Sequence, residues 1–284
     1  MIPAPFRYRR VSTVDEAIKA LGHDTEAKLL LGGHSLLPLM KLRLARPSTL
    51  IDVAHVSELR TVDIEQDNLA IGAGVRYAEI LGDTRLTEVM PVLRQSVSVI
   101  ADPQVRHRGT IGGSAAHADP AADLPAVFLA AEARFQVRGP AGARQVPADQ
   151  WFVAPLVSAL GPEDVLISVH FSRPLPALQA YVKFPHPASG YALAGVAALL
   201  DLAANGRVGK ARIAVTGAGV MPFRAEAAES ALEGRPLDRD SIAAAARAGA
   251  EAGEYADDMH YSADYRKNLA EVMIRRALEK ALQA

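Results

Sequence analysis

Residues 106–123 read RHRGTIGGSAAHADPAAD, and residues 29–37 read LLLGGHSLL. Each stretch contains a pair of glycines followed closely by a serine. Glycine has no Cβ, so its backbone can turn with positive φ and approach a ligand closely. Consecutive N–H groups in such a turn can bind phosphate oxygens. The glycine pair at 32 and 33 alone is more typical of an ordinary tight turn, so the second stretch decides the interpretation.

Polar residues around the second glycine pair indicate a dinucleotide ligand. Arg108 and the neighbouring hydroxyls suit a diphosphate, and the carboxylates of Asp119 and Asp123 can accept hydrogen bonds from sugar hydroxyls. Asp119 is also well placed to cap the helix that follows Pro120. Neither stretch has the Gly-Lys-Ser/Thr ending of a P-loop or the GxGxxG spacing of a Rossmann turn, so we set those two nucleotide folds aside.

The composition limits the other classes of function. The 31 Lys and Arg are balanced by 32 Asp and Glu, which gives no electrostatic reason to expect a nucleic acid partner or an anionic membrane. The chain has no cysteine, so it cannot hold an iron–sulfur cluster through thiolates, and His107 and His117 lack metal-binding spacing. No apolar stretch has the length of a signal peptide or of a membrane span, which predicts a cytoplasmic protein with no membrane insertion.

The apolar patterning predicts interleaved strands and helices, and hence a mixed architecture. Strands are predicted at residues 28–31, 50–53, 69–71, 135–138 and 165–171, and helices at 13–21, 76–81, 89–100 and after Pro120. Thr13 and Glu16 form a possible capping box. A proline-rich passage around residues 174–187 indicates a domain boundary near residue 175. In the last helix one stripe is apolar and is interpreted as core; it comprises Ala270, Met273, Ile274, Ala277, Leu278 and Ala281.

Two long strings resemble a known family. GGHSLLPLMKLRLARPSTLIDV at residues 32–53 and RHRGTIGGSAAHADPAADLPA at residues 106–126 are similar to the two flavin-binding signatures of the medium subunit of molybdenum hydroxylases. This is the group of carbon monoxide dehydrogenase and xanthine dehydrogenase. The resemblance extends over nearly the whole chain, because residues 183–198 and the helical end also resemble that family's C-terminal domain.

The resemblance implies an α+β fold in two domains. Residues 1–175 would form a flavin-binding domain of the vanillyl-alcohol-oxidase (PCMH) type, built from two subdomains. Residues 176–284 would form a smaller domain with a three-stranded sheet and helices, like the C-terminal domain of carbon monoxide dehydrogenase flavoproteins.

The resemblance also implies non-covalently bound FAD, no catalytic residue and no metal in this chain. The two glycine motifs would surround the diphosphate, Asp123 would reach the ribityl chain, Leu166 or Ile167 would pack on the flavin, and Lys183 and Tyr191 would approach its ring. The full set of expected cofactor-binding residues is Leu31, Gly32, Gly33, His34, Ser35, Leu36, Thr110, Ile111, Gly112, Gly113, Ser114, His117, Asp119, Asp123, Leu166, Lys183 and Tyr191.

Several of these residues have a second interpretation. Ser114 stands where many relatives carry Asn, and His34 where many carry Gln, although both keep hydrogen-bonding ability. His34 also leaves a covalent flavin link open. Lys183 is equally compatible with a solvated strand end, and Tyr191 with a core aromatic residue.

By the same resemblance, the chain would be an oxidoreductase subunit that relays electrons. A large subunit would hold the molybdenum cofactor, a small subunit would hold the 2Fe-2S clusters, and two heterotrimers would pair. Electrons would leave through FAD to an external acceptor such as NAD, a quinone or oxygen. Two alternatives stay open: a stand-alone flavoenzyme that oxidises its own substrate, and a cofactor-free scaffold in which both glycine motifs are mere turns.

Overall fold

The fold begins with a small parallel sheet. A computed structural model describes residues 1–283; Ala284, the last residue of the expected second domain, lies outside the described residues. The elements are β1 (Arg7–Arg10), α1 (Val14–Gly22), β2 (Lys28–Leu30), α2 (Leu36–Lys41) and β3 (Thr49–Asp52). The strands pair in parallel in the order β1-β3-β2. Parallel strands need helical crossovers, and α1 supplies one, its buried face carrying Val14, Ala17 and Leu21.

A second unit surrounds an antiparallel sheet. Its strands are β4 (Val62–Ile64), β5 (Asn68–Gly72), β6 (Arg134–Gly139), β7 (Gly142–Pro147), β8 (Phe152–Ala154), β9 (Val157–Ser158) and β10 (Val165–Ser172). Its helices are α3 (Tyr77–Gly82), α4 (Thr84–Val89), α5 (Pro91–Ser98), α6 (Pro103–Arg106), α7 (Ile111–His117) and α8 (Leu124–Ala130). The five-stranded sheet has the order β4-β5-β10-β6-β7, and β8 and β9 form a separate hairpin. Buried aromatic residues Phe128, Phe135 and Trp151 lie in its core.

The C-terminal part is a sheet backed by helices. It comprises β11 (Leu178–Pro185), β12 (Ala192–Leu202), β13 (Val208–Thr216), β14 (Phe223–Arg224), α9 (Glu226–Leu232), α10 (Arg239–Glu251) and α11 (Ala263–Ala281). The strands are antiparallel in the order β11-β12-β13-β14. The three long strands match the expected sheet, and the two-residue β14 extends its edge. Every residue of the apolar stripe predicted on the last helix is buried.

The C-terminal sheet packs on the second unit through one face. Tyr181, Ala197, Leu199 and Ala214 belong to the same core cluster as the aromatic residues of that unit. The side-chain oxygen of Gln95 on α5 accepts a hydrogen bond from the backbone N–H of Tyr181 at 2.9 Å. The two parts are therefore joined by both apolar packing and buried hydrogen bonds.

Some predicted elements differ from the observed ones. The helix predicted at 89–100 is the shorter α5, because Val89 ends α4 and Pro91 starts α5 at a position where proline's missing N–H costs nothing. The helix predicted after Pro120 begins only at Leu124. The patterning missed β1 because all four of its residues are exposed, and it also missed α2 and α7. No helix among residues 1–283 combines the length and hydropathy that a membrane span requires.

Candidate functional site

A cavity of about 580 Å³ lies where the three parts of the fold meet. Its walls come from the end of β2 and the loop after it, from α7, from the start of β10, and from β11 with its following loop. Its volume falls in the range of about 300–1,000 Å³ that is typical of cofactor sites. The cavity therefore combines segments that are up to 163 residues apart in the sequence, from Lys28 to Tyr191.

The first glycine motif forms a loop of unpaired donors at the cavity wall. Gly33 has φ +78°, a conformation that favours glycine, and its carbonyl accepts the N–H of Leu37 to start α2. The five consecutive N–H groups of residues 32–36 have no acceptor within the described part of the chain. All five residues line the cavity. Successive free N–H groups of this kind form an anion-binding nest.

The second glycine motif is the first turn of α7 rather than a loop. The Thr110 hydroxyl caps the helix by accepting the N–H of Gly113 at 3.0 Å. The N–H of Ile111 donates to Val75 O at 3.1 Å, and that of Gly112 to Ala73 O at 3.0 Å. The Ser114 N–H bonds to Thr110 O. The fold therefore already uses the N–H groups of all four residues, and this motif offers no free backbone donor to a ligand.

Glycine is required in these motifs for close packing. A Cβ on Gly32 would lie 2.5 Å from the carbonyl oxygen of Arg108, and one on Gly112 would overlap Ala73. The two motifs consequently touch, with Gly32 against the backbone that leads into α7. α7 itself is held by Trp151, whose indole N–H donates to Ala115 O at 2.8 Å.

A buried polar network lies in another part of the cavity wall. Asp123, just before α8, accepts the Tyr181 hydroxyl at 2.7 Å through Oδ1 and the Lys183 ammonium at 2.9 Å through Oδ2. The side chains of Asp123 and Lys183 are each 5% exposed, so Lys183 is not a solvated strand end. Burial raises the pKa of Asp123, while Lys183 and Tyr181 oppose that rise.

The segment that carries Asp123 is held by the C-terminal sheet. The Thr216 hydroxyl on β13 lies within hydrogen-bonding distance of the carbonyl oxygens of Pro120 and Ala122, at 2.7 and 2.8 Å, and the N–H of Gly217 donates to Pro120 O. The Asp119 carboxylate accepts the N–H of Ala121 at 2.9 Å within the turn after Pro120, and it does not cap α8, which begins at Leu124. The C-terminal part therefore fixes one wall of the cavity.

Most residues expected at the site line the cavity, and a few do not. Leu166 lines it, whereas Ile167 packs against the N-terminal core cluster. Ile111 is fully buried in the second unit's core and does not line the cavity. Arg108 is exposed and lines a separate cavity of about 10 Å³ with Arg60 and Arg76 rather than the main cavity.

The remaining expected residues line the cavity. The His34 ring Nδ1 lies 3.2 Å from Gly32 O, and Tyr191 is 45% exposed at the cavity rim, which excludes a fully buried core aromatic. His117 also lines the cavity. Thirteen further expected positions line it: Leu31, Gly32, Gly33, Ser35, Leu36, Thr110, Gly112, Gly113, Ser114, Asp119, Asp123, Leu166 and Lys183.

Sequence reasoning missed several cavity residues. Lys28 and Asp164 supply charge at the cavity, while Tyr77, Ile100 and Val105 supply apolar and aromatic surface. Lys28 immediately precedes the first motif and could have been found there, but the others come from elements that only the tertiary fold brings near. Within residues 1–283 no group of three or more histidines and carboxylates is arranged to bind a metal ion.

Comparison with protein families identifies both parts of the chain. Residues 4–174 match the family described as the FAD binding domain in molybdopterin dehydrogenase. Residues 179–281 match the CO dehydrogenase flavoprotein C-terminal domain.

Individual relatives match along their whole length. The carbon monoxide dehydrogenase medium chain of Hydrogenophaga pseudoflava is 38% identical, with 99% of this chain and 98% of the relative covered. The nicotine 6-hydroxylase medium subunit of Paenarthrobacter nicotinovorans is 36% identical, with the same coverage. The solved structure of carbon monoxide dehydrogenase from Hydrogenophaga pseudoflava lacking the Mo-pyranopterin moiety superposes with a TM-score of 0.94 at 39% identity, covering 100% of this chain and 99% of that one. This chain therefore belongs to the family of FAD-binding medium subunits of the molybdenum hydroxylases.

Proposed function

We propose that FAD binds non-covalently in the cavity, with its diphosphate at the five unpaired N–H groups of residues 32–36. This loop carries the proposal, because it concentrates donors without acceptors at a wall of a cofactor-sized cavity. Hydrogen bonds to a charged acceptor are about twice as strong as neutral ones. The diphosphate would thus satisfy donors that the fold leaves free.

The other walls fit the remaining parts of FAD. We assign Asp123 to the ribityl hydroxyls and Leu166 to packing against the flavin, with Lys183 and Tyr191 near the ring. Thr110, Gly112, Gly113 and Ser114 provide a surface with little side-chain bulk rather than free backbone donors. Leu31, Leu36 and His117 complete the wall. Apolar residues such as Ile100 and Leu166 exclude water from the flavin.

The flavin supplies the redox chemistry, because it can accept electrons singly from an iron–sulfur donor and release them in pairs. This chain's residues bind and orient it. Lys183 places a positive charge inside the cavity, and Asp123 holds that ammonium group in position. We assign no proton-transfer catalyst to the chain.

The family places this chain in complexes with a large and a small subunit. We propose that the large subunit holds the molybdenum cofactor and the small subunit the 2Fe-2S clusters, since a chain without cysteine cannot supply thiolate ligands. We further propose a cytoplasmic dimer of heterotrimers that delivers electrons to NAD, a quinone or oxygen. The hydroxylated substrate is then chosen by the large subunit.

We also propose that the chain divides into domains at residues 1–175 and 176–284. The family matches that end at residue 174 and begin at residue 179 support this division. Most of the C-terminal core forms a cluster of its own. The shared core residues on β11, β12 and β13 mark the interface between the two domains.

The test is to purify the chain from its source organism through an affinity tag and analyse what accompanies it. We expect about one FAD per chain, released completely by acid, together with molybdenum and iron in two accompanying subunits. Flavin that stays on the polypeptide after acid would instead indicate a covalent link, with His34 as its site. A colourless preparation would contradict the proposal, as would substrate oxidation by the isolated chain at the rate of the complex.

A further inference from the structure

Tyr181 is a buried tyrosine immediately behind the cavity wall. It lies on β11 and is 2% exposed, and its hydroxyl donates to Asp123 Oδ1 at 2.7 Å. The other carboxylate oxygen accepts from the ammonium group of Lys183. Asp123 therefore links a residue that cannot reach the cavity with one that lines it.

Lys183 has one donor left over. An ammonium group has three N–H donors. One goes to Asp123 Oδ2 at 2.9 Å and a second to Val99 O at 3.1 Å. No third acceptor lies within the described residues, although the Lys183 side chain is only 5% exposed and lines the cavity. A buried ammonium group with a free donor is suited to bind an electron-rich atom of a ligand.

The position of the Tyr181 hydroxyl is closely determined by its surroundings. The backbone N–H of Tyr181 donates to Gln95 Oε1, and its carbonyl accepts from Lys280 Nζ, both at 2.9 Å. On the neighbouring strand, a Cβ on Gly195 would overlap the Tyr181 hydroxyl oxygen. Glycine within a strand often marks such a close approach. β12 thus leaves the space through which this hydroxyl reaches Asp123.

We propose that Tyr181 is a positioning residue for the cofactor: its hydroxyl keeps Asp123 ionised and oriented, so that Lys183 presents its free N–H to bound FAD. The inference rests on the proposed FAD site. Tyr181 itself touches neither the cofactor nor the reacting atoms.

Charge and burial explain why the hydroxyl matters. Burial raises the pKa of Asp123, and a hydrogen bond donated to the carboxylate favours its charged form. Removing the hydroxyl raises that pKa further, so Asp123 takes up a proton at a higher pH and releases Lys183. The charged and titratable groups that influence or adjoin Asp123 are Tyr181, Lys183, Tyr77, Tyr191 and Asp119.

The test measures FAD affinity against pH in the complex that contains the full chain, after removal and re-addition of FAD, by the fluorescence of free FAD. For Tyr181→Phe we expect about tenfold weaker binding at neutral pH, as for loss of one hydrogen bond to a charged group. The affinity loss on acidification should also begin at a higher pH than in the unsubstituted protein. Tyr255→Phe is the matched control, since it removes a hydroxyl that donates to Ala250 O outside the cavity, and it should leave both readouts unchanged.

A double-mutant cycle tests whether Tyr181 affects FAD binding through Asp123. Asp123→Asn should abolish the acid-dependent step, and adding Tyr181→Phe to it should weaken binding by no more than about twofold. Gly195→Ala, which displaces the hydroxyl without removing it, should shift the pH profile in the same direction even if Tyr181→Phe does not fold.

An unchanged pH profile in both the Tyr181→Phe and Gly195→Ala proteins would overturn the inference, as would a full tenfold effect of Tyr181→Phe on top of Asp123→Asn. Failure of the unsubstituted complex to bind FAD at all would refute the proposed function instead, so the two failures are distinguishable.

Discussion

At the scale of single residues, backbone geometry at Gly33 fixes the direction of the free N–H groups. Its φ of +78° places it in the left-handed region, where other residues are strained. The sequence suggested the importance of this glycine pair, but a glycine pair alone could not reveal that residues 32–36 leave five donors unpaired. That property depends on where the following helix begins.

Gly33→Ala should therefore weaken FAD binding. The added Cβ disfavours positive φ by about 1 kcal/mol, and a rotated peptide would turn the N–H groups away from the diphosphate. We expect about tenfold or greater loss of FAD affinity, measured by titration of the cofactor-free complex. Gly142→Ala is the control, because Gly142 also has positive φ but lies in the β6–β7 turn. Equal affinity losses in the two variants would contradict the assignment.

A second residue-scale prediction concerns Asp24, which links β1 to β3 through Arg7 and Thr49. Its carboxylate accepts hydrogen bonds from Ser48, Thr49 and Arg7, which lower its pKa from 3.8 to about 2. A depressed pKa stabilises the fold above pH 3.8, and that contribution is lost as the pH falls toward 2.

Asp24→Asn should accordingly lower the unfolding temperature at pH 6 and have a much smaller effect at pH 2. Thermal unfolding at a series of pH values measures this, with Asp63→Asn on the exposed side of β4 as the control. A destabilisation by Asp24→Asn that is the same at both pH values would show that its charge plays no part.

At the scale of elements, α7 shows what sequence patterning could not supply. Two glycines in its first turn disfavour a helix, so the motif reads as a loop. Tertiary contacts override that preference, because the N–H groups of Ile111 and Gly112 bond to the carbonyls of Val75 and Ala73, in the segment between β5 and α3. The patterning also missed α2, because its partly buried apolar residues follow directly after the glycine loop.

The Thr110 cap should be needed for this helix. Thr110→Ala removes the hydroxyl that accepts the Gly113 N–H, and loss of such a cap costs about 1 kcal/mol of stability. We expect a lower urea midpoint and weaker FAD binding, since α7 forms a cavity wall. Thr110→Ser keeps the acceptor and should restore both properties. An alanine variant as stable as the unsubstituted protein would contradict the capping role.

At the scale of the whole molecule, the site exists only where separate parts of the chain meet. The sequence motifs predicted the family and the cofactor, and 16 of the 17 expected binding residues line the cavity, although more than half of its lining residues were not predicted. They did not reveal that Lys183 would be buried against Asp123, because the two are 60 residues apart and meet only in the folded chain, where Asp123 precedes α8 and Lys183 lies on β11. Residues such as Ile100 and Asp164 have no local signal for the same reason.

The two glycine motifs consequently contribute differently to the cavity. The first supplies free donors, and the second supplies a tightly packed wall whose donors are already used. The structure therefore differs from a site in which both motifs bind the diphosphate through their backbone N–H groups.

Amide hydrogen exchange across the whole chain, with and without FAD, tests this difference between the two motifs most directly. We expect FAD to slow exchange strongly in peptides that cover residues 32–36, because their free N–H groups gain acceptors. Peptides that cover residues 111–114 should change little, since those N–H groups are bonded in either state. Strong new protection at residues 111–114 with none at 32–36 would contradict the central claim.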